Sequence, residues 1–399
     1  MPQLIFLTGA SGFLGSHIAT QLLDNGYSVR ATARGRRIEE LKKSYAKFGD
    51  RFQVVDVLDL ATDQFPEALE GVDGLIHTAA PLADRAEPEE IFKATVAISS
   101  FCDFSSMSYV QGAVNGTLNV VRQAQKAGIT RIVVTSSIVT VSTLINANPA
   151  LFTDQGELRF GLEGNQTRML DEGRETRTTF YSHQFEALRK YWYHVDPDKV
   201  LEGTKWDVYC AGRTLAEREL WAFSAAHPEL EITTINPPFL YGPFPEGFTQ
   251  PTPDYYRLST NIQLYRFLKP SSRFPPFPGY ADVRDCAKAH ILGLNSPPTS
   301  AVGRKRVVFC SPHGYDFTEI LQLLAEKRPE LKDRLNKEPP PKFTFDRAPI
   351  DFARIEQLVG IKKEDFKPRE VTFLDAVDGL LAFEKQWAAL GHELDIPDN

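Results

Sequence analysis

The chain has little cysteine: four residues in 399, Cys102, Cys210, Cys286 and Cys310. None stands in a C-x-x-C pair or has histidine companions at zinc spacing, so neither a metal site nor a disulfide framework is indicated. A reducing, cytoplasmic setting is the expectation. A basic excess is also missing, since 45 Lys and Arg face 52 Asp and Glu for a formal charge of −7. Nucleic-acid binders neutralise phosphates with such an excess, so no nucleic-acid partner is expected and the ligand is a small molecule. No run is long and apolar enough to span a membrane, and no membrane partner is expected. Residues 1 to 15 lack a basic n-region and run into a glycine-rich turn, unlike a secretory signal. The apolar fraction of 42% suits a soluble globular chain with one large domain or two sharing a core.

What is present begins with a strand, a turn and a helix. Leu4 to Leu7 is a short apolar run of the kind a doubly buried parallel strand needs. It enters Thr8-Gly9-Ala10-Ser11-Gly12-Phe13-Leu14-Gly15, and Phe13, Ile18, Leu22 and Leu23 then recur at roughly helical spacing up to Gly26. Glycines are required there for the tight turn, for backbone approach to a pyrophosphate and for close helix packing. A second strand, Tyr27 to Thr32, runs into Arg34, Arg36 and Arg37 where an acid would otherwise accept from a ribose hydroxyl. An arginine can pair with a 2′-phosphate instead, so NADP(H) is the expected cofactor. The third strand, Phe52 to Val55, leads to Asp56 and Val57, suited to the adenine amino group and ring. A fourth, Gly74 to His77, ends in Thr78, Ala79 and Ala80, small residues that let a flat ligand pass. His77 reads as a buried strand histidine.

Val114 to Ala127 reads as a helix, and Arg131 to Ser137 as a buried strand ending in the hydroxyls of Thr135, Ser136 and Ser137 at the edge where open α/β sheets bind ligands. Residues 180 to 193 mix aromatics with charges and read as an inserted flap or a lid. In Tyr209 to Glu217, Tyr209 and Arg213 are four apart and share a helical face. Ile232 to Ile235 is another strand, broken at Asn236-Pro237-Pro238-Phe239, and residues 244 to 280 are rich in proline and aromatics, a suitable wall for an apolar pocket. Asp282 to Leu294 reads as a helix, Arg306 to Cys310 as a strand, Phe317 to Lys327 as a helix capped near Thr318, and residues 352 to 390 as mostly helical. Strand and helix alternation predicts an α/β, doubly wound parallel sheet. The expected division is a nucleotide-binding part at 1 to 240 with an insertion at about 142 to 205. A mainly substrate-binding part would follow at 241 to 399, from which 281 to 310 returns to the sheet.

These residues resemble the extended short-chain dehydrogenase/reductase family, in its dihydroflavonol reductase-like and fungal carbonyl reductase group. The resemblance spans nearly the whole chain. It rests on the glycine turn, Ala113-Val114-Asn115-Gly116-Thr117-Leu118-Asn119, Val134-Thr135-Ser136-Ser137, Tyr209 with Thr214-Leu215-Ala216-Glu217, Asn236-Pro237, and Ala281-Asp282-Val283-Arg284-Asp285. It implies a catalytic Ser137, with Ser136 the alternate, Tyr209 as proton donor, and Arg213 where the family has lysine. Thr135, Ser136, Tyr209, Arg213, Asn236, Pro237 and Phe239 would join Thr8, Gly9, Ser11, Gly12, Phe13, Leu14, Gly15, Arg34, Asp56, Val57 and Thr78 to Ala80 around the cofactor. Arginine keeps the charge of lysine but cannot deprotonate, so no proton relay runs through it. A literal tyrosine-to-lysine spacing at Tyr265 and Lys269 lies in the proline-rich segment and not between the two edge strands.

The expected activity is NADPH-dependent reduction of an aldehyde or ketone on an apolar, aromatic small molecule to the alcohol. Two other readings stay open. One is an NADP(H)-binding protein with weakened turnover, acting as sensor or binding module, which Arg213 supports. The other is a hydroxysteroid-type dehydrogenase or sugar-nucleotide epimerase, and the arginines after Thr32 speak against the epimerase.

Overall fold

The computed structural model describes residues 3–80, 109–141, 205–246, 248–275, 278–341 and 350–397. Strands β1 (Leu4–Thr8), β2 (Ser28–Ala33), β3 (Phe52–Asp56), β4 (Gly74–His77), β5 (Arg131–Thr135) and β6 (Glu231–Asn236) precede β7 (Phe239–Tyr241), β8 (Tyr280–Asp282) and β9 (Lys305–Val308). Seven of them form one sheet in the order β3-β2-β1-β4-β5-β6-β9, every pair parallel. β7 and β8 pair separately, also in parallel. The order reverses between β1 and β4, which opens a crevice at the carboxyl edge there.

The central strands β1, β4 and β5 are mainly apolar because both faces of the sheet are covered. In β1, Ile5 and Leu7 join the cluster containing helix α1 (Phe13–Asp24), whereas Phe6 between them points to the opposite cluster with Val120, Val121, Leu220 and Trp221. β5 divides in the same way, Val133 to one side and Ile132 and Val134 to the other. Helix α2 (Arg37–Ser44) follows β2. Helices α3 (Tyr109–Lys126) and α4 (Lys205–Ala226) pack together on the second face, and α5 (Val283–Gly293) packs on α1 on the first.

A third cluster lies around β7 and β8. Tyr241, Tyr265, Phe267, Tyr280, Phe317, Phe373 and Trp387 are buried there against helices α6 (Phe317–Lys327) and α8 (Arg369–Ala389), while α7 (Phe352–Val359) packs back against β9 and α5. Several boundaries differ from the sequence reading. Helix α3 begins at Tyr109, five residues before its apolar stripe becomes clear. Helix α6 is capped by Asp316 rather than near Thr318, in a reciprocal capping box with Glu319. β9 starts at Lys305 and ends at Val308, two residues short of Cys310. The expected insertion at 142 to 205 lies outside the described residues except for Lys205, which opens α4.

Candidate active site

The glycine turn joins β1 to α1 with almost no room for side chains. Gly9 has φ +81°, and a Cβ there would stand 2.5 Å from Thr78 Oγ1 and 2.7 Å from Ala79 N. A Cβ on Gly15 would meet the Gly9 carbonyl oxygen at 2.1 Å. The turn is therefore pressed against the end of β4 on one side and against its own helix on the other. Gly12 caps α1 without a side-chain hydrogen bond, and no acid stands in the first turn. The positive end of α1 is left for an anion, which fits a dinucleotide pyrophosphate. Phe13 and Leu14 are buried with their side chains in the core, so only their backbone can face a ligand.

At the neighbouring edge, Arg34 is exposed and donates from Nη1 to the Leu58 carbonyl oxygen at 3.0 Å. Asp56 is exposed at the end of β3, and Val57 beside it is buried. Thr78 and Ala79 are half-buried and Ala80 is exposed. Thr8 is fully buried and stands 2.8 Å from His77 Nδ1, while His77 Nε2 lies 3.3 Å from Thr117 Oγ1. Burial and then the nearby Arg213 charge lower the His77 pKa to about 3, so the imidazole is neutral and braces the floor. Thr8 thus supports the site from beneath.

The end of β5 carries the hydroxyls. Thr135 Oγ1 lies 2.8 Å from His290 Nε2, and His290 Nδ1 lies 2.7 Å from the Cys286 carbonyl oxygen. Ser136 donates to Glu217 Oε2 at 2.5 Å. Ser137 caps the short turn Ile138–Thr140, its Oγ accepting from Val139 N at 3.3 Å. Accepting there leaves the Ser137 hydroxyl hydrogen to be donated elsewhere, whereas the Ser136 hydrogen is committed. That separates the two candidate serines.

Glu217 itself is fully buried on α4 and paired with Arg306 of β9 at 2.7 Å. It also accepts from Thr140 Oγ1 at 2.7 Å, Asn236 Nδ2 at 2.8 Å and Trp221 Nε1 at 3.1 Å. Burial pushes its carboxyl upward, but the Arg306 charge and the hydrogen bonds outweigh that and hold it below the usual carboxylate range. One carboxylate therefore ties α4, β6 and β9 to the turn after Ser137. Asn236 faces this network, and Pro237 gives its carbonyl oxygen to Ile138 N at 3.0 Å. Both back the site through internal bonds, and Phe239 is buried in the aromatic cluster.

Tyr209 and Arg213 lie one helical turn apart on α4. Tyr209 is half-buried and packs against the cluster of Ile138 and Val139, immediately after Ser137. Arg213 is 7% exposed and donates from Nη2 to the Thr135 carbonyl oxygen. Its Nε has no hydrogen-bond partner among the described residues. Tyr265 and Lys269 face elsewhere, Tyr265 OH donating to Glu384 and Lys269 Nζ to the Ile396 carbonyl oxygen at 2.8 Å. The aromatics of 244 to 280 are largely spent on packing: Phe244 stacks on Phe248, and Phe267 meets Phe274 and Phe317 edge-on. Among the described residues, no group of three or more His, Cys, Asp or Glu could hold a metal ion. No helix among them is long and apolar enough to cross a membrane.

Sequence reasoning gave no role to His290, Glu217 or Arg306. For Arg306 a signal existed, a charge inside a strand otherwise apolar, which implies a buried partner. Glu217 belonged to a quoted motif, but its partners are remote in sequence.

Comparison with known proteins points the same way. An NAD(P)H-binding family matches residues 9–156. Cinnamoyl-CoA reductase 1 of Petunia hybrida is 28% identical over 338 residues, covering 82% of this chain and 79% of its own. The NADPH-dependent methylglyoxal reductase of Saccharomyces cerevisiae is 24% identical over 396 residues, covering 95% of this chain and 98% of its own. Among solved structures, yeast methylglyoxal/isovaleraldehyde reductase complexed with NADPH has a TM-score of 0.68 at 21% identity and covers 96% of this chain and 100% of that one. Vestitone reductase from alfalfa has a TM-score of 0.59 at 23% identity, covering 96% and 99%. With its seven-stranded parallel sheet, the glycine turn closed against β4, an NAD(P)H-binding match at its N-terminal part and reductases as relatives over most of its length, the chain is similar to the NAD(P)H-dependent reductases of the extended short-chain dehydrogenase/reductase family.

Proposed function

We propose that this enzyme uses NADPH to reduce an aldehyde or ketone on an apolar, aromatic small molecule to the alcohol. What supports the reading is that Tyr209 packs against Ile138 and Val139, the residues directly after Ser137, while Arg213 bonds the Thr135 carbonyl oxygen, both at the carboxyl end of β5 beside the crevice where the strand order reverses. When bound, NADPH supplies the hydride. Ser137 donates to the carbonyl oxygen, and Tyr209 gives that oxygen its proton as charge develops on it. Arg213 holds a fixed positive charge next to Thr135, favouring the oxyanion without passing a proton. Glu217 acts as a positioning residue, since it holds Ser136, Thr140 and Asn236 in place. The arginines after β2 support NADP(H) over NAD(H). The aromatic substrate class is supported by the relatives, whose names include cinnamoyl-CoA and dihydroflavonol reductases. The division at about residue 240 belongs to the same proposal, with the aromatic cluster around β7 and β8 forming the core of the substrate-binding part.

A second reading has an observation of its own. Arg213 is spent on a strand carbonyl, so the chain could bind NADPH and turn over slowly as a binding module. Carbonyl-dependent NADPH oxidation by wild type and Arg213→Lys, across a panel of aromatic and aliphatic aldehydes and ketones, separates the two. The reductase reading expects turnover by the wild type. Turnover by Arg213→Lys alone would transfer the conclusion to the binding module.

A further inference from the structure

One pocket in the nucleotide-binding half is closed by a residue from outside it. It lies between the turn at Ala10 and Ser11, helix α2 at Glu40 and Ser44, and the segment after β7, which contributes Phe248 and Arg257. Arg257 reaches across with a side chain only 9% exposed. Its guanidinium lies 4.9 Å over the Phe248 ring, and Nη1 donates to the Thr249 carbonyl oxygen at 3.1 Å. Nη2 stands 3.5 Å from Glu40 Oε2, and Nε has no hydrogen-bond partner among the described residues.

Glu40 serves three cations. Arg37 Nη1 takes the same oxygen at 3.1 Å, and Arg36 Nε stands 3.8 Å from the other. Asp254 adds a contact with Arg37 at 3.9 Å. Three guanidiniums thus share two carboxylates through mostly long contacts, and a buried cation with an unsatisfied N–H is costly. Burial, and then repulsion from Arg37, lowers the Arg257 pKa to about 10, so the group gains from any added negative charge. The pocket sits just past the end of β2 and against the glycine turn, the place where a doubly wound fold meets the adenosine ribose and its substituent. Arg34, the cation expected there from the sequence, is exposed and donates to the Leu58 carbonyl oxygen.

We propose that Arg257 is a specificity-determining residue for the 2′-phosphate of the dinucleotide, with Glu40 as the counter-ion that the phosphate displaces. This rests on the NADP(H) reading above. Choice of dinucleotide is then shared between the end of β2 and a residue of the part that covers the substrate. A phosphate offers several acceptor oxygens to Arg257 and Arg37 at once, which one carboxylate cannot match.

Calorimetric titration of the full chain with 2′,5′-ADP and with AMP tests this. Arg257→Ala is expected to weaken 2′,5′-ADP by about tenfold or more, the size of one lost charge-assisted hydrogen bond, with AMP unchanged. Arg257→Lys recovers part of the loss, and Glu40→Gln tightens 2′,5′-ADP alone. If Arg257→Ala leaves both affinities at their wild-type values, the inference is overturned, and a pocket that took only a free phosphate ion would give that same result. Equal loss of both nucleotides overturns it too, since Arg257 would then be a clamp between chain segments. A wild type that binds both nucleotides equally overturns the NADP(H) reading itself.

Discussion

The core around the parallel sheet and the core around β7 and β8 are filled by different chemistry. Ile5, Leu7, Val29, Ile76 and Val133 dominate the first, and Tyr241, Tyr265, Phe267, Phe373 and Trp387 the second. Strands buried on both faces favour branched aliphatic residues at every position. Two three-residue strands cannot span a core, so aromatic volume from helices and loops fills it. Among the described residues, the histidines that burial holds neutral, His17, His77 and His290, lie in the sheet half, whereas the buried phenols lie mostly in the aromatic half, Tyr241, Tyr265, Tyr280 and Tyr315, with Tyr45 alone in the sheet half.

That division sets opposite pH limits, and this is the largest effect expected. Burial lowers His17 and His290 to about 4 and His77 to about 3. In the unfolded chain they titrate near 6.5, so unfolding takes up as many as three protons as pH falls from 6.5 toward 4. Stability should drop by up to ~4 kcal/mol per pH unit where all three titrate together. The phenols act at the other end. Burial raises them, so above about pH 10 only the unfolded chain ionises and stability falls as pH rises. Denaturant midpoints from pH 4 to 11 check both limbs. Tyr315→Phe should flatten the alkaline limb and leave the acid one alone.

Next in size is a pair of substitutions, one in each half. Glu217→Gln leaves Arg306 buried without its counter-charge and should cost about 3–5 kcal/mol. Phe373→Ala removes a ring in contact with Tyr241, Tyr280 and Tyr315 and should cost a similar ~3–5 kcal/mol. Urea unfolding measures both. Only Glu217→Gln should also lower kcat, because it releases Ser136 and Asn236. Equal loss of kcat in the two variants would erase the distinction between the halves.

The halves also differ in how far the sequence revealed them. β1, β4 and β5 were legible because a doubly buried strand must be apolar at every position, and the glycine turn because only glycine fits beside Thr78 and Ala79. The ionic residues were not. Arg306 reads as a charge at the start of a strand and Lys305 lies outside that reading, yet both are buried because Glu217 and Glu231 wait 89 and 74 residues away. A local pattern cannot name such distant partners. Arg257 was hidden for the same reason, and the aromatics of 244 to 280 revealed their kind but not that they pack on one another.

A smaller effect probes the turn. Gly9→Ala places a Cβ against Thr78 and Ala79 at positive φ and should cost about 1–2 kcal/mol from backbone strain alone. Calorimetry should show NADPH affinity falling along with this loss of stability.

The central claim is that Tyr209 delivers the proton at this edge. Single-turnover oxidation of bound NADPH by an aromatic aldehyde, in wild type and Tyr209→Phe, addresses it most directly. The account predicts turnover in the wild type and a loss of ~10²–10⁴-fold in Tyr209→Phe with NADPH affinity unchanged. An equal rate in the two proteins would contradict it.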